Sequence, residues 1–206
     1  MTQMPSNNDW NLSQSYINED SHLLNAREKS KELGLITIGP GAGALIRFLA
    51  STIDASNVVE IGTGTGVSGL CLFRGMNSAG VLTSIDSDPE RQRAAREIFS
   101  EAGITANKIR LIAGRAIEVV DKLTDNAYDL MFINGEKLEY ETLFEQSLRL
   151  LRPGGILIFN NILGEFSTSD AQAISAVSDK IKDDSRLISV MIPSGSGIIA
   201  ASYRPS

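Results

Sequence analysis

The sequence predicts an α/β fold: a seven-stranded, mostly parallel sheet with helices on both faces and an antiparallel last strand. Two observations carry this. From residue 57 onward, short β-branched runs alternate with helical segments, which is the pattern of a parallel sheet covered on both sides. The last two runs, RLISVMI (186–192) and GIIAASY (197–203), are separated only by Pro193-Ser194-Gly195-Ser196. A parallel crossover needs a dozen residues or more, so this pair must be antiparallel.

The elements follow in order. Residues 1–12 are polar and read as a loose arm. Residues 17–33 read as a helix with Ile17, Leu23, Leu24 and Leu33 as core contacts. TIGPGAG (37–43) reads as a loop, and ALIRFLASTI as a short buried helix. Strands are expected at NVVEI (57–61), VLTSI (81–85), KIRLIA (108–113), YDLMFI (128–133) and GILIFNN (155–161). Helices fit near 67–76, 89–102, 115–123, 138–151 and 168–182. Asp88-Pro89-Glu90 is a helix start: a capping carboxylate, proline in the first turn, and an acid at the positive dipole end. Leu150-Leu151-Arg152-Pro153-Gly154-Gly155 reads as a helix end that turns into a strand. The whole is Rossmann-like. It forms a single domain, with 1–34 as an N-terminal arm and helix on a main unit of 35–206.

Composition narrows the function. The formal net charge is −6, which disfavours nonspecific binding to nucleic acid or an anionic membrane. A single cysteine, Cys71, excludes an internal disulfide and fits a reducing, cytoplasmic setting. MTQMPSNNDW has neither the cationic start nor the apolar core of a signal peptide, and no apolar run is long enough to span a membrane.

The segment VVEIGTGTGVSG (58–69) carries the chemistry. Residues without a Cβ let the backbone approach a ligand closely. Two registers compete. Gly64-Thr65-Gly66-Val67-Ser68-Gly69 satisfies G-x-G-x-x-G, and Asp86 lies about twenty residues on, as in an NAD-dependent oxidoreductase. The other register, Glu60-x-Gly62-x-Gly64-x-Gly66, is the first motif of class I S-adenosylmethionine-dependent methyltransferases. There the glycines pass beneath the methionine and ribose, and Asp86 at the end of the second strand accepts from the ribose hydroxyls. Three features favour it: the first strand ends at Ile61, directly before Gly62; the fourth ends in the polar cluster FINGEK; and a hairpin closes the sheet.

From about residue 35 to 203 the chain resembles the small O-methyltransferases related to the catechol and caffeoyl-CoA enzymes, the bacterial branch most. TIGPGAGALI, VVEIGTGTGVSGL, IRLIAGRAIEVV, YDLMFINGEKLEY, LRLLRPGGILIFNNIL and IPSGSGIIAAS carry the resemblance in family order. It implies a cofactor, S-adenosylmethionine, held by Glu60, Gly62, Thr63, Gly64, Ser68, Asp86, Ala116 and Asn134, with Thr37 or Ile38 at the mouth. It implies a small-molecule hydroxyl as acceptor, a homodimer, and Lys137 as general base.

The chain departs from the family in two places. Arg115 stands where G-D-A has its acid. The family's divalent-metal ligands, an aspartate after strand four and an Asp-Asn pair after strand five, fall on Asn134 and on Asn160-Asn161. Neutral amides offer no charge to offset dehydration of Mg²⁺, so the metal site is expected to be eroded. A cofactor-binding protein with little transfer activity is the rival that this erosion supports. A lysine base needs its pKa lowered by burial or neighbouring cations, and Glu136 and Glu139 oppose that. His22 reads as a surface residue and Cys71 as a small buried apolar group. Tyr140 and Phe166 fit either the acceptor side or the core.

Overall fold

The computed structural model describes residues 6–205. In chain order the elements are α1 (Asn7–Ser15), α2 (Ser21–Glu32), α3 (Pro40–Thr52), β1 (Asn57–Ile61), α4 (Val67–Gly75), β2 (Val81–Asp86), α5 (Pro89–Glu101), β3 (Ile109–Ala113), α6 (Ala116–Val120), β4 (Tyr128–Ile133), α7 (Tyr140–Leu150), β5 (Leu151–Asn160), α8 (Thr168–Asp183), β6 (Leu187–Ile192) and β7 (Ile198–Tyr203). A 3₁₀ turn at Lys137–Glu139 leads into α7.

All seven expected strands form one sheet in the order β3-β2-β1-β4-β5-β7-β6. β1 pairs in parallel with both β2 and β4, and β7 runs antiparallel between β5 and β6. The order reverses at β1/β4, and open α/β sheets bind ligands outside the carboxyl ends of the strands at that switch point. Alternate strand residues feed two cores. Val58, Leu82, Leu130 and Ile158 face α2, α3, α4 and α5. Val59, Ile85, Met131 and Phe159 face α6, α7 and α8.

Four expectations need correction. Residues 7–15 form α1 rather than a loose arm. The second helix starts at Ser21, not at residue 17, because the Asp20 carboxylate caps it by accepting from the His22 and Leu23 amides. α3 starts inside the expected loop: Pro40 takes its first turn, where a missing N–H costs nothing. β5 begins at Leu151, ahead of the proline and glycines. Tyr128 pairs with Leu151 and Leu130 with Ile156, so the intervening residues bulge out of register. Asp129 anchors this end of the sheet, accepting from the Ser56 and Asn57 amides and pairing with Arg152. Among the described residues, no helix is long and apolar enough to cross a membrane.

Candidate active site

Two adjoining cavities, of about 110 and 280 Å³, lie along the carboxyl ends of the central strands. The first is walled by Leu35–Ile38 on one side and by Gly62–Thr65, Val67 and Ser68 on the other. The second runs from Ile85–Ser87 past Gly114–Ala116 to Gly135, Glu136 and Glu139. Gly62, Asp86, Arg91 and Asn134 line both. Of the residues singled out in the sequence, Thr37, Ile38, Gly62, Thr63, Gly64, Ser68, Asp86 and Asn134 meet in the first cavity, and Ala116 joins Asn134 in the second.

Backbone geometry explains the glycines. Gly62, Gly64 and Gly66 have φ of 93°, 51° and 89°, values that side chains rarely tolerate. A Cβ on Gly62 would lie 2.4 Å from the Asn134 carbonyl oxygen. Gly62 is thus the point where the loop after β1 passes the loop after β4. The Asn134 amide also donates to the Ile61 carbonyl at 2.9 Å, binding the two loops together.

Asp86 is 6% exposed at the tip of β2. Its Oδ2 accepts from the Gly64 amide at 3.0 Å and its Oδ1 from the Asp88 amide at 3.0 Å. These bonds aim the carboxylate along the crevice. Arg91, which sequence reasoning missed, stands 3.8 Å from Asp86 and lines both cavities. Its place in the first turn of α5 was readable, but its direction was not.

Glu60 lines neither cavity. It is wholly buried beneath the glycine loop, where the Ser68 and Ser84 hydroxyls donate to its two oxygens at 2.5 Å each. Burial pushes its carboxyl up to about 7, against the two serine bonds. Glu60 therefore shapes the loop from below. Arg115, which lines the second cavity, pairs with Glu139 at 3.2 Å and with Glu118 at 3.5 Å.

At the end of β4 and β5 the polar groups form a chain. Lys137 Nζ donates to Tyr140 Oη at 2.9 Å, and Tyr140 Oη donates to the Asn160 carbonyl at 2.8 Å. Tyr140 is fully buried against Phe159, so it belongs to the core with a working hydroxyl. Burial lowers the Lys137 amine to about 8, against Asp170 and Glu136, which raise it. Asn160 Nδ2 donates to Asn134 Oδ1 at 3.1 Å. Asn161 follows with φ of 59°.

The donor set does not fit a divalent cation. Its members are neutral amides, one amide oxygen is already taken by its neighbour, and no group of three His, Cys, Asp or Glu among the described residues could hold a metal. His22 is half-buried, and Cys71 is buried as expected.

The fold and crevice define an open α/β protein with paired cavities at its switch point. The sequence matches the O-methyltransferase family over residues 14–203, and the chain belongs to that family. A Mycobacterium sp. (strain JLS) protein whose name places it among O-methyltransferases is 42% identical over 193 residues, covering 90% of this chain and 87% of its own. Cofactor-bound Rv0187 from MTB superposes with a TM-score of 0.85 at 25% identity, covering 99% of this chain and 100% of its own. The O-methyltransferase from Bacillus cereus, solved in complex with SAH, gives 0.83 at 23% identity, covering 97% and 98%. Family membership sets aside the NAD-dependent oxidoreductase.

Proposed function

We propose that this chain transfers a methyl group from S-adenosylmethionine to a hydroxyl of a small molecule without a catalytic metal. The observation that carries it is the pairing of Asp86 with the left-handed glycine loop across the switch point. A carboxylate fixed by backbone amides at a strand tip suits a ribose diol. The methionine end then lies between Thr37 and Ser68, and the adenine toward Gly114–Ala116.

The acceptor oxygen attacks the sulfonium methyl in line. The O–C bond forms, the S–C bond breaks, and its electron pair stays on sulfur to give a neutral thioether. The acceptor's proton passes to Lys137. Burial supports this role, because an amine near pKa 8 is partly neutral at physiological pH. The amine donates to Tyr140 Oη at 2.9 Å and to the Gly135 carbonyl at 3.4 Å, bonds that do not use its lone pair. Gln14 of α1 accepts from the Gly41 amide at 3.1 Å, fixing α1 on α3.

The test is product detection over a panel of phenols and catechols with S-adenosylmethionine, with and without Mg²⁺. Methylated product in both conditions supports the reading. Binding of S-adenosylmethionine with no product from any acceptor would favour a cofactor-binding protein that has lost transfer.

A further inference from the structure

One guanidinium ties the N-terminal segment to the wall of the first cavity. Arg27, on α2, donates through Nε and Nη2 to the two oxygens of Glu19, both at 2.6 Å. Its Nη1 donates to Thr37 Oγ1 at 2.9 Å and to the Ile38 carbonyl at 2.6 Å. The pair is largely buried, with side chains 17% and 9% exposed. A charged pair so enclosed is a costly way to hold a plain linker, since desolvation offsets much of the attraction.

The same helix holds the opposite wall. Thr65 of the glycine loop donates to the Ala26 carbonyl at 2.8 Å, beside Ser30. Ala26 and Arg27 are adjacent, so one turn of α2 sets the width of the cavity. Ile36, just before the two wall contacts, is 99% exposed and adds no packing of its own. Arg27 therefore fixes the Thr37–Ile38 part of the wall, together with the core packing of Ile38, 5% exposed, and the bond from the Leu35 amide to the Ser30 carbonyl at 2.8 Å.

Thr37 completes the picture. Its hydroxyl accepts from Arg27 and lines the cavity, so its own proton is left to donate inward. An acceptor on the ligand can therefore take this proton. We propose that Arg27, braced by Glu19, is a positioning residue for the amino-acid end of the cofactor, fixing the Leu35–Ile38 wall and presenting the Thr37 proton to the ligand's α-carboxylate. This rests on the S-adenosylmethionine reading above.

The experiment compares two ligands by calorimetry on the full chain. S-Adenosylhomocysteine has the amino-acid end; 5′-methylthioadenosine lacks it. Arg27→Lys keeps the charge beside Glu19 but cannot fork to both wall partners, and Thr37→Val removes the hydroxyl while keeping the shape. Each is expected to weaken S-adenosylhomocysteine about tenfold or more, as for a lost bond to a charged group, and to change methylthioadenosine less than about twofold. Arg152→Lys, at the far end of the sheet, serves as the control for general loosening and should leave both ligands unchanged. Equal losses for both ligands, or no loss for either, would overturn the proposal. Failure of the parent chain to bind either ligand would instead sink the cofactor reading itself.

Discussion

Replacing Gly62 with alanine should be much worse than replacing Gly64, although both have positive φ. The backbone term is shared: a side chain in the left-handed region costs roughly 1–2 kcal/mol. At Gly64, with φ of 51°, a Cβ would meet nothing within 4 Å, so that term stands alone. At Gly62 the added carbon would lie 2.4 Å from the Asn134 carbonyl oxygen and 3.1 Å from its carbon. Both are backbone atoms held by the bond from the Asn134 amide to Ile61, so neither can rotate away. Overpacking of this kind adds about 1–3 kcal/mol. Gly62→Ala should therefore cost about 2–5 kcal/mol, a large share of the roughly 5–15 kcal/mol that holds a domain together. The assay is urea unfolding of both variants, read as midpoint shifts at unchanged m-value. Equal shifts for the two alanines would refute the apposition of the loops after β1 and β4.

Glu60→Gln should flatten the pH dependence of stability. The carboxyl sits at about 7 when folded against 4.5 otherwise. Between those values the unfolded chain releases a proton that the folded chain keeps. Stability therefore falls as pH rises through this window, by about 3 kcal/mol in total, and is level above it. Thermal melts from pH 4 to 8 that show the same slope in both proteins would reject this account. Turnover should rise with pH up to about 8, where Lys137 loses its proton, and level off beyond; Lys137→Ala should lose roughly 10²–10⁴-fold and the inflection with it. An unchanged profile in that variant removes Lys137 from the chemistry. Dialysis against a chelator should leave turnover intact, whereas Asn134→Asp with Asn160→Asp should bind Mg²⁺ detectably by calorimetry. Activity that vanishes on chelation and returns with Mg²⁺ would contradict the amide argument.

Strand positions were legible because strand spacing and β-branched runs are local properties. The antiparallel close was legible because four residues cannot make a crossover. Element starts were less so. Pro40 supports either a loop or a first helical turn, and only packing of α3 decides between them. Pro153-Gly154-Gly155 resembles a turn, yet the chain there bulges within β5 because Arg152 is drawn to Asp129. At the site, residues set by backbone direction were readable: Asp86 at a strand tip, Gly62 at a loop crossing. Direction of side chains was not. Glu60 points to the same sheet face as Val58, where Ser68 and Ser84 close over it, and Arg27 and Glu19 are eight positions apart with no motif joining them. The Tyr140 hydroxyl bridges Lys137 and Asn160 through the interior, a contact that depends on the packing of α7 against β5.

The amides at Asn134 and Asn160 bear on which hydroxyl can react. Carboxylates there would stand close to Lys137 and favour its charged form, holding the amine protonated. Neutral amides remove that pull, leaving burial as the leading influence, with Asp170 and Glu136 opposing it. A base near 8 exchanges protons efficiently only with an acid of comparable strength. A phenol, near 10 as in tyrosine, lies within about two units; an aliphatic alcohol lies far above. The acceptor should therefore be an acidic hydroxyl on an unsaturated ring. Turnover over a series of ring-substituted phenols should rise as the phenol becomes more acidic toward 8 and be slight for matched alcohols. An aliphatic alcohol methylated faster than a phenol of the same size would show that some stronger means of deprotonation operates in the crevice.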